Sequence, residues 1–170
     1  MLSFILAIIC GITIIIADQY SKIFIISHYT LGESTKLLNG VIDLTYIHNR
    51  GGAWGMLSGY TWALLSITLV IMLVCIALLF KYGLKNKLIF WSITLMLAGG
   101  VGNMIDRIFR DGNVVDFLQF AFFKQFPVFN VADIAVCIGA GLLVLYFVLD
   151  TLKESLGKRK KLQENENGKV

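Results

Sequence analysis

Four stretches of this chain are long, apolar and almost free of charge, and no other feature limits its fold so strongly. Leu2 to Ala17, Ala53 to Phe80 and Leu88 to Ile105 carry no charged residue, and Val131 to Leu149 carries only Asp133. A helix that crosses a bilayer needs about 20 mostly apolar residues. The composition agrees: 57% of residues are hydrophobic and 15% charged, against about 45–50% and about 25% in a soluble domain. The expected fold is a mainly α membrane protein with four transmembrane helices, over about 2–26, 57–80, 88–106 and 131–150. The first stretch lacks a basic leader and a small-residue cleavage site, so it reads as a retained helix. Residues 1–152 form one expected domain.

Lysine and arginine set the expected orientation. The segments 81–87 and 151–170 hold nine of them, against five in the longer loops 27–52 and 106–130. The positive-inside rule then puts both termini in the cytoplasm. Trp54, Tyr60 and Trp62 flank the outer end of the second span, and Phe80, Tyr82, Phe90 and Trp91 flank the inner loop. Such rings favour the membrane interface. The net charge of +4 is scattered through polar gaps. It makes no stripe of the kind that binds nucleic acid, so no nucleic-acid partner is expected. The tail 153–170 is rich in Lys, Glu, Asn and Gln and is expected to be disordered.

Two outer segments are expected to be more than connectors. In the loop 27–56, Ile42, Leu44 and Tyr46 alternate with other residues, which predicts a strand in a small extracytoplasmic β-sheet. In the other, Phe117, Phe120, Phe122, Phe123, Phe126 and Phe129 crowd into a segment too short to span twice. It reads as an interfacial segment, either a plain anchor or the rim of a cleft.

Ionisable residues at membrane depth are costly and therefore informative. Asp18, Asn103, Asp106, Arg107, Asp116, Asn130 and Asp133 all fall toward the outer side of this topology. Asp18 and Lys22 have the i,i+4 spacing of a helix ion pair, acid first. Asn130-x-x-Asp133 has the pattern of a capping box, and the helix dipole there favours an ionised Asp133. Asp116 sits among Val114, Val115 and Phe117, and burial raises a carboxyl pKa. Two such acids, one easily ionised and one not, can share a proton as an aspartic peptidase requires. Gly99-Gly-Val-Gly102 lacks the ending of a phosphate loop and reads as close helix packing. Cys10, Cys75 and Cys137 are isolated in apolar runs and the two histidines are remote from them. No metal site, disulfide or cofactor is expected.

Five segments in order now resemble one family. They are Asp18-Gln-Tyr-Ser-Lys22, Asn49-Arg-Gly-Gly-Ala-Trp-Gly55, Gly99-Gly-Val-Gly-Asn-Met-Ile-Asp-Arg107, Val114-Val-Asp-Phe117 and Phe129-Asn-Val-Ala-Asp133. Together they resemble the lipoprotein signal peptidases (signal peptidase II) over about residues 15–150. The resemblance implies a bacterial inner-membrane aspartic endopeptidase, with its active site near the outer leaflet. Its substrate would be a diacylglyceryl-modified prolipoprotein, cut before the lipidated Cys, and it would work as a monomer among membrane lipids. Asp116 and Asp133 match the catalytic pair. Asn49, Gly51, Asn103, Arg107 and Asn130 match substrate-binding positions, and Asp18 with Lys22 matches a structural pair. Arg50, Gly52 and Ile134 depart from the family's commoner residues. The alternative from a different class is a small proton-coupled transporter, which would want acids spread across both leaflets.

Overall fold

The computed structural model describes residues 2–52 and 59–167. Trp54 and the expected beginning of the second span, 57–58, lie outside the described residues. Helix α1 spans Leu2–His28, strand β1 Ser34–Leu38 and strand β2 Ile42–Asn49. Helix α2 spans Thr61–Leu78 and ends in a π-helical turn, Leu79–Gly83. Helix α3 runs over Lys87–Phe109, strand β3 over Val114–Phe120 and helix α4 over Val131–Asn167.

Among the described residues, four helices are long and apolar enough to cross a membrane: Leu2–His28, Thr61–Gly83, Lys87–Phe109 and Val131–Arg159. Their outer faces are those of a protein dissolved in lipid. Ile8, Ile12 and Ile16, at the i,i+4 spacing that shares one helix face, are all more than half exposed along α1. Helix α3 is the central one, packing on α4 most extensively and also on α1 and α2. Being enclosed by protein, it can carry polar side chains that lipid would reject. Asn86 caps its N-terminus, accepting from the backbone N–H of Leu88 at 2.9 Å.

The three strands form one antiparallel sheet in the order β1-β2-β3. A bulge between Leu44 and Ile47 resets the register so that Ile47 pairs with Asp116 and Asn49 with Val114. Tyr46, Val115 and Phe117 bury their side chains against Ile25 of α1 and seat the sheet on the C-terminal end of that helix. A second apolar cluster of Cys75, Ile89 and Ile93, joined by Leu143 and Tyr146, ties α2, α3 and α4 together away from the sheet.

Three expectations differ from the structure. The Phe-rich segment is half sheet: β3 runs through Phe120, and Phe117 is a buried core residue. Its alternation was hidden because β3 is covered on both faces near its start, where Val114, Val115, Asp116 and Phe117 are all buried. Phe90 does not present its ring to the surroundings; it is buried, edge-on to Phe4 at 5.4 Å. Helix α4 continues to Asn167 where a disordered tail was expected. Leu, Lys, Glu and Arg after Asp150 are good helix formers, and extending an existing helix avoids the cost of nucleation.

Candidate active site

Each acid is delivered by a different element. Helix α3 ends at Phe109 and the chain reverses through Asp111 and Gly112, both with positive φ, at 51° and 80°. Glycine adopts that backbone freely and aspartate tolerates it. The turn sends β3 back across the bundle with Asp116 on it. After β3 the chain folds back, and Phe129 exchanges backbone hydrogen bonds with Leu118 at 2.8 and 2.9 Å. That return places Asn130 and the start of α4 directly beside β3.

Asn130 and Asp133 make the expected capping box. Asn130 Oδ1 accepts from the Asp133 N–H at 2.9 Å, and Asp133 Oδ2 accepts from the Asn130 N–H at 3.1 Å. The same Asn130 also serves the other acid, its Nδ2 donating to Asp116 Oδ1 at 2.7 Å. Capping and site-building are therefore one geometry. Asn49 Nδ2 donates to Asp116 Oδ2 at 2.8 Å across the β2–β3 pair. Asn103 Nδ2 donates to Asp133 Oδ1 at 2.7 Å.

The two acids sit in different surroundings. Asp116 is 1% exposed, whereas Asp133 is half-buried. Burial, with the charge of Asp133 adding to it, pushes the Asp116 carboxyl up to about 7, against the opposing donors from Asn49 and Asn130. At neutral pH that group is divided between acid and carboxylate.

Both acids line one cavity of about 490 Å³. Its polar floor includes Asn49, Asn103 and Arg107, and its walls include Phe120, Phe126, Phe129, Ile134 and Ile138. A second cavity of about 220 Å³ runs between α2, α3 and α4 past Met72, Cys75 and Met96. The two share Asn103, Arg107 and Asp133. Arg107 donates from Nη1 to the Asn103 carbonyl at 3.3 Å, while its buried Nε has no protein partner among the described residues. A buried N–H without a partner is a ready donor for a bound carbonyl. Apolar space with a few convergent polar groups and a perturbed acid is the form of a binding site. No cluster of three potential metal ligands occurs among the described residues.

The sequence matches the signal peptidase (SPase) II family over residues 10–149. The chain belongs to that family. It is 39% identical over 146 residues to the lipoprotein signal peptidase of Halalkalibacterium halodurans, covering 85% of this chain and 93% of that one. It is 40% identical over 146 residues to the lipoprotein signal peptidase of Bacillus pumilus, covering 85% and 94%. Two solved bacterial membrane enzymes, determined by the in meso method at 2.3 and 1.9 Å, are similar in fold. Their TM-scores are 0.79 and 0.76 at 32% identity, with 85% and 83% of this chain covered and 88% and 91% of theirs. A signal peptidase is a protease, so the transporter alternative falls away.

Of the positions that the sequence picked out in this signal peptidase, Asn49, Asn103, Arg107, Asp116 and Asp133 line the larger cavity. Asn130 lies behind them, fully buried, bonded to Asp116 and Asp133. Gly51 is buried beside Asn49, and its N–H donates to Asn49 Oδ1 at 3.0 Å. It orients that amide, and Gly52 is the glycine on the cavity wall. Arg50 turns away to donate to Asn113 Oδ1 at 2.8 Å, which explains how the departure is accommodated. Ile134 adds apolar wall. Asp18 and Lys22 pair at 2.8 Å, both fully buried. The sequence reading missed Gln19 and Arg110, which also bind Asp106, and Cys137, which lines the cavity one turn beyond Asp133. The i,i+4 spacing of Asp106 and Arg110 was the available signal. Nothing local marked Gln19, which donates to its neighbour Asp18 and, on α3, to the Gly102 carbonyl and Asp106.

Proposed function

We propose that this signal peptidase is an aspartic endopeptidase that releases signal peptides from diacylglyceryl-modified prolipoproteins, cutting just before the lipidated Cys. The observation that carries the reading is the pair itself. A fully buried Asp116 and a half-buried Asp133, bridged by Asn130, face one cavity. Asp133, at the N-terminus of α4 and holding N–H donors, is the ionised partner. It takes a proton from a water lying between the acids. The hydroxyl adds to the scissile carbonyl carbon while protonated Asp116 gives its proton to the carbonyl oxygen. The resulting gem-diol collapses: Asp133 returns the proton to the leaving nitrogen, the C–N bond breaks, and Asp116 recovers its proton. Arg107 Nε is placed to hold a substrate carbonyl.

The substrate's mixed chemistry suits the two cavities. Peptide needs hydrogen-bond partners and acyl chains need apolar walls, and the branches meet at Asn103, Arg107 and Asp133. In the orientation with both termini cytoplasmic, the acids lie near the outer leaflet, where a lipidated Cys rests. The exposed rings of Phe122 and Phe123 then sit at the interface. A monomer is the proposed working state.

The test is incubation of purified protein with a diacylated prolipoprotein, followed by mass measurement of the products. Wild type should yield the free signal peptide and a lipoprotein beginning at its lipidated Cys. Asp116→Asn and Asp133→Asn should each abolish cleavage while remaining folded and inserted. Full activity in a folded Asp133→Asn variant would overturn the aspartic mechanism.

A further inference from the structure

Behind the two acids lies a second pair of carboxylates, Asp18 and Asp106, both fully buried. Asp18 Oδ1 accepts from the backbone N–H of Ala132 at 2.9 Å. Asp106 Oδ2 accepts from the backbone N–H of Val115 at 3.1 Å. Ala132 and Val115 are the residues immediately before Asp133 and Asp116. Each inner carboxylate thus ties down the backbone one residue before one acid.

One ammonium joins them. Lys22 Nζ lies 2.8 Å from Asp18 Oδ2, 2.9 Å from Asp106 Oδ2 and 3.1 Å from Asn103 Oδ1. An ammonium has three protons, and these three acceptors use them all. The third bond also holds the Asn103 amide with its Nδ2 toward Asp133. We propose that Lys22 is a positioning residue that sets the separation and alignment of the two acids. It acts through Asp18 and Ala132 on one side and Asp106 and Val115 on the other. The proposal rests on reading Asp116 and Asp133 as the catalytic pair.

A merely structural ion pair would hold α1 against α3 and nothing more. The hydrogen bonds that the two carboxylates accept from Ala132 and Val115 go further, because movement of either backbone segment carries the next residue, an acid, with it. A misplacement of about 1 Å in a reacting group can slow a reaction about a hundredfold. Charge is nearly balanced in the cluster, with Lys22 and Arg110 against Asp18 and Asp106. A test must keep that balance, since an unpaired buried charge would unfold the protein instead of misaligning it.

The double variant Asp18→Asn/Lys22→Met removes one charge of each sign and leaves an acceptor for the Ala132 N–H. Lys22→Arg is a second, milder variant that keeps the charge but replaces the compact ammonium with a planar guanidinium. On full-length protein with a diacylated substrate peptide, the double variant should lose at least about 30-fold in kcat with KM changed less than about threefold. The pH optimum of kcat should move upward, because Lys22 no longer favours the carboxylate form of Asp116. The charged groups facing Asp116 are Lys22 from α1, Arg107 from α3 and Asp133 from α4. Amide hydrogen exchange should speed up at Val115 and Ala132 together in both variants. An unchanged kcat and pH optimum with only a lower thermal midpoint would overturn the proposal. If the double variant does not fold, continued protection of both amides in Lys22→Arg, with wild-type kcat, would overturn it equally. Asp116→Asn is the control: its activity would sink the aspartic reading itself, whereas its inactivity with unaffected Lys22 variants sinks the positioning role alone.

Discussion

Asp116 is where residue chemistry and stability pull apart. Its carboxyl, near 7 in the folded protein and about 3.9 in an unfolded chain, binds protons more tightly when folded. Stability therefore declines as pH rises from about 4 to about 7. Asp116→Asn should be more stable than wild type at pH 8 and no more stable at pH 4, by a difference of at most about 4 kcal/mol. Thermal midpoints at the two pH values measure this. The proposed mechanism uses the protonated form of Asp116, so on that reading cleavage should fall as pH climbs through about 7. Asn49 Nδ2 donates to the Asp116 carboxylate and holds its pKa down. Asn49→Ala should thus shift the alkaline limb of the pH–rate profile upward while lowering the maximal rate about tenfold or more. A limb that moved downward would contradict this role. The acids themselves were legible in the sequence because charge is so scarce in it. The direction of each side chain was not, since local pattern cannot show which amide will meet which carboxylate.

At the scale of elements, the site depends on how closely α3 and α4 approach. A Cβ on Gly99 would stand 2.3 Å from the carbonyl oxygen of Ala132, one residue from Asp133. That contact is with backbone, which cannot swing aside. Gly99→Ala should therefore force α3 and α4 apart at the catalytic turn. A destabilisation of about 1–3 kcal/mol is expected, with a larger loss of cleavage than the stability change explains. Equal activity per folded molecule, measured by thermal unfolding alongside turnover, would show that the close approach is not needed for chemistry. The four spans were legible from hydropathy, because lipid demands long apolar helices. Strand β2 was legible from its β-branched alternation. Strand β3 was not, because its early residues are buried on both faces and its phenylalanines read equally well as an interfacial anchor.

The whole molecule is a bundle with a sheet at one end, and its asymmetry defines two sides. With both termini cytoplasmic, position 85 faces the cytoplasm and position 124 the outside. In a cysteine-free background, a membrane-impermeant maleimide applied to intact cells should label Lys124→Cys and leave Lys85→Cys unlabelled until the membrane is broken. The reverse pattern would invert the orientation and place the acids at the inner leaflet. Sequence alone determined that this chain lives in lipid, crosses it about four times, and groups Asp18, Asp106, Asp116 and Asp133 near one end of the bundle. It could do so because bilayer thickness and the cost of charge act on local composition. Tertiary structure alone decided that Asn130 serves both acids, that Lys22 joins Asp18 to Asp106, and that these carboxylates hold Ala132 and Val115. Those bonds link α1, α3, β3 and α4 across as many as 114 positions of sequence. Hydrogen bonds depend on distances of a few tenths of an ångström and on direction. Such precision arises only when the helices have packed and the sheet has fixed its register.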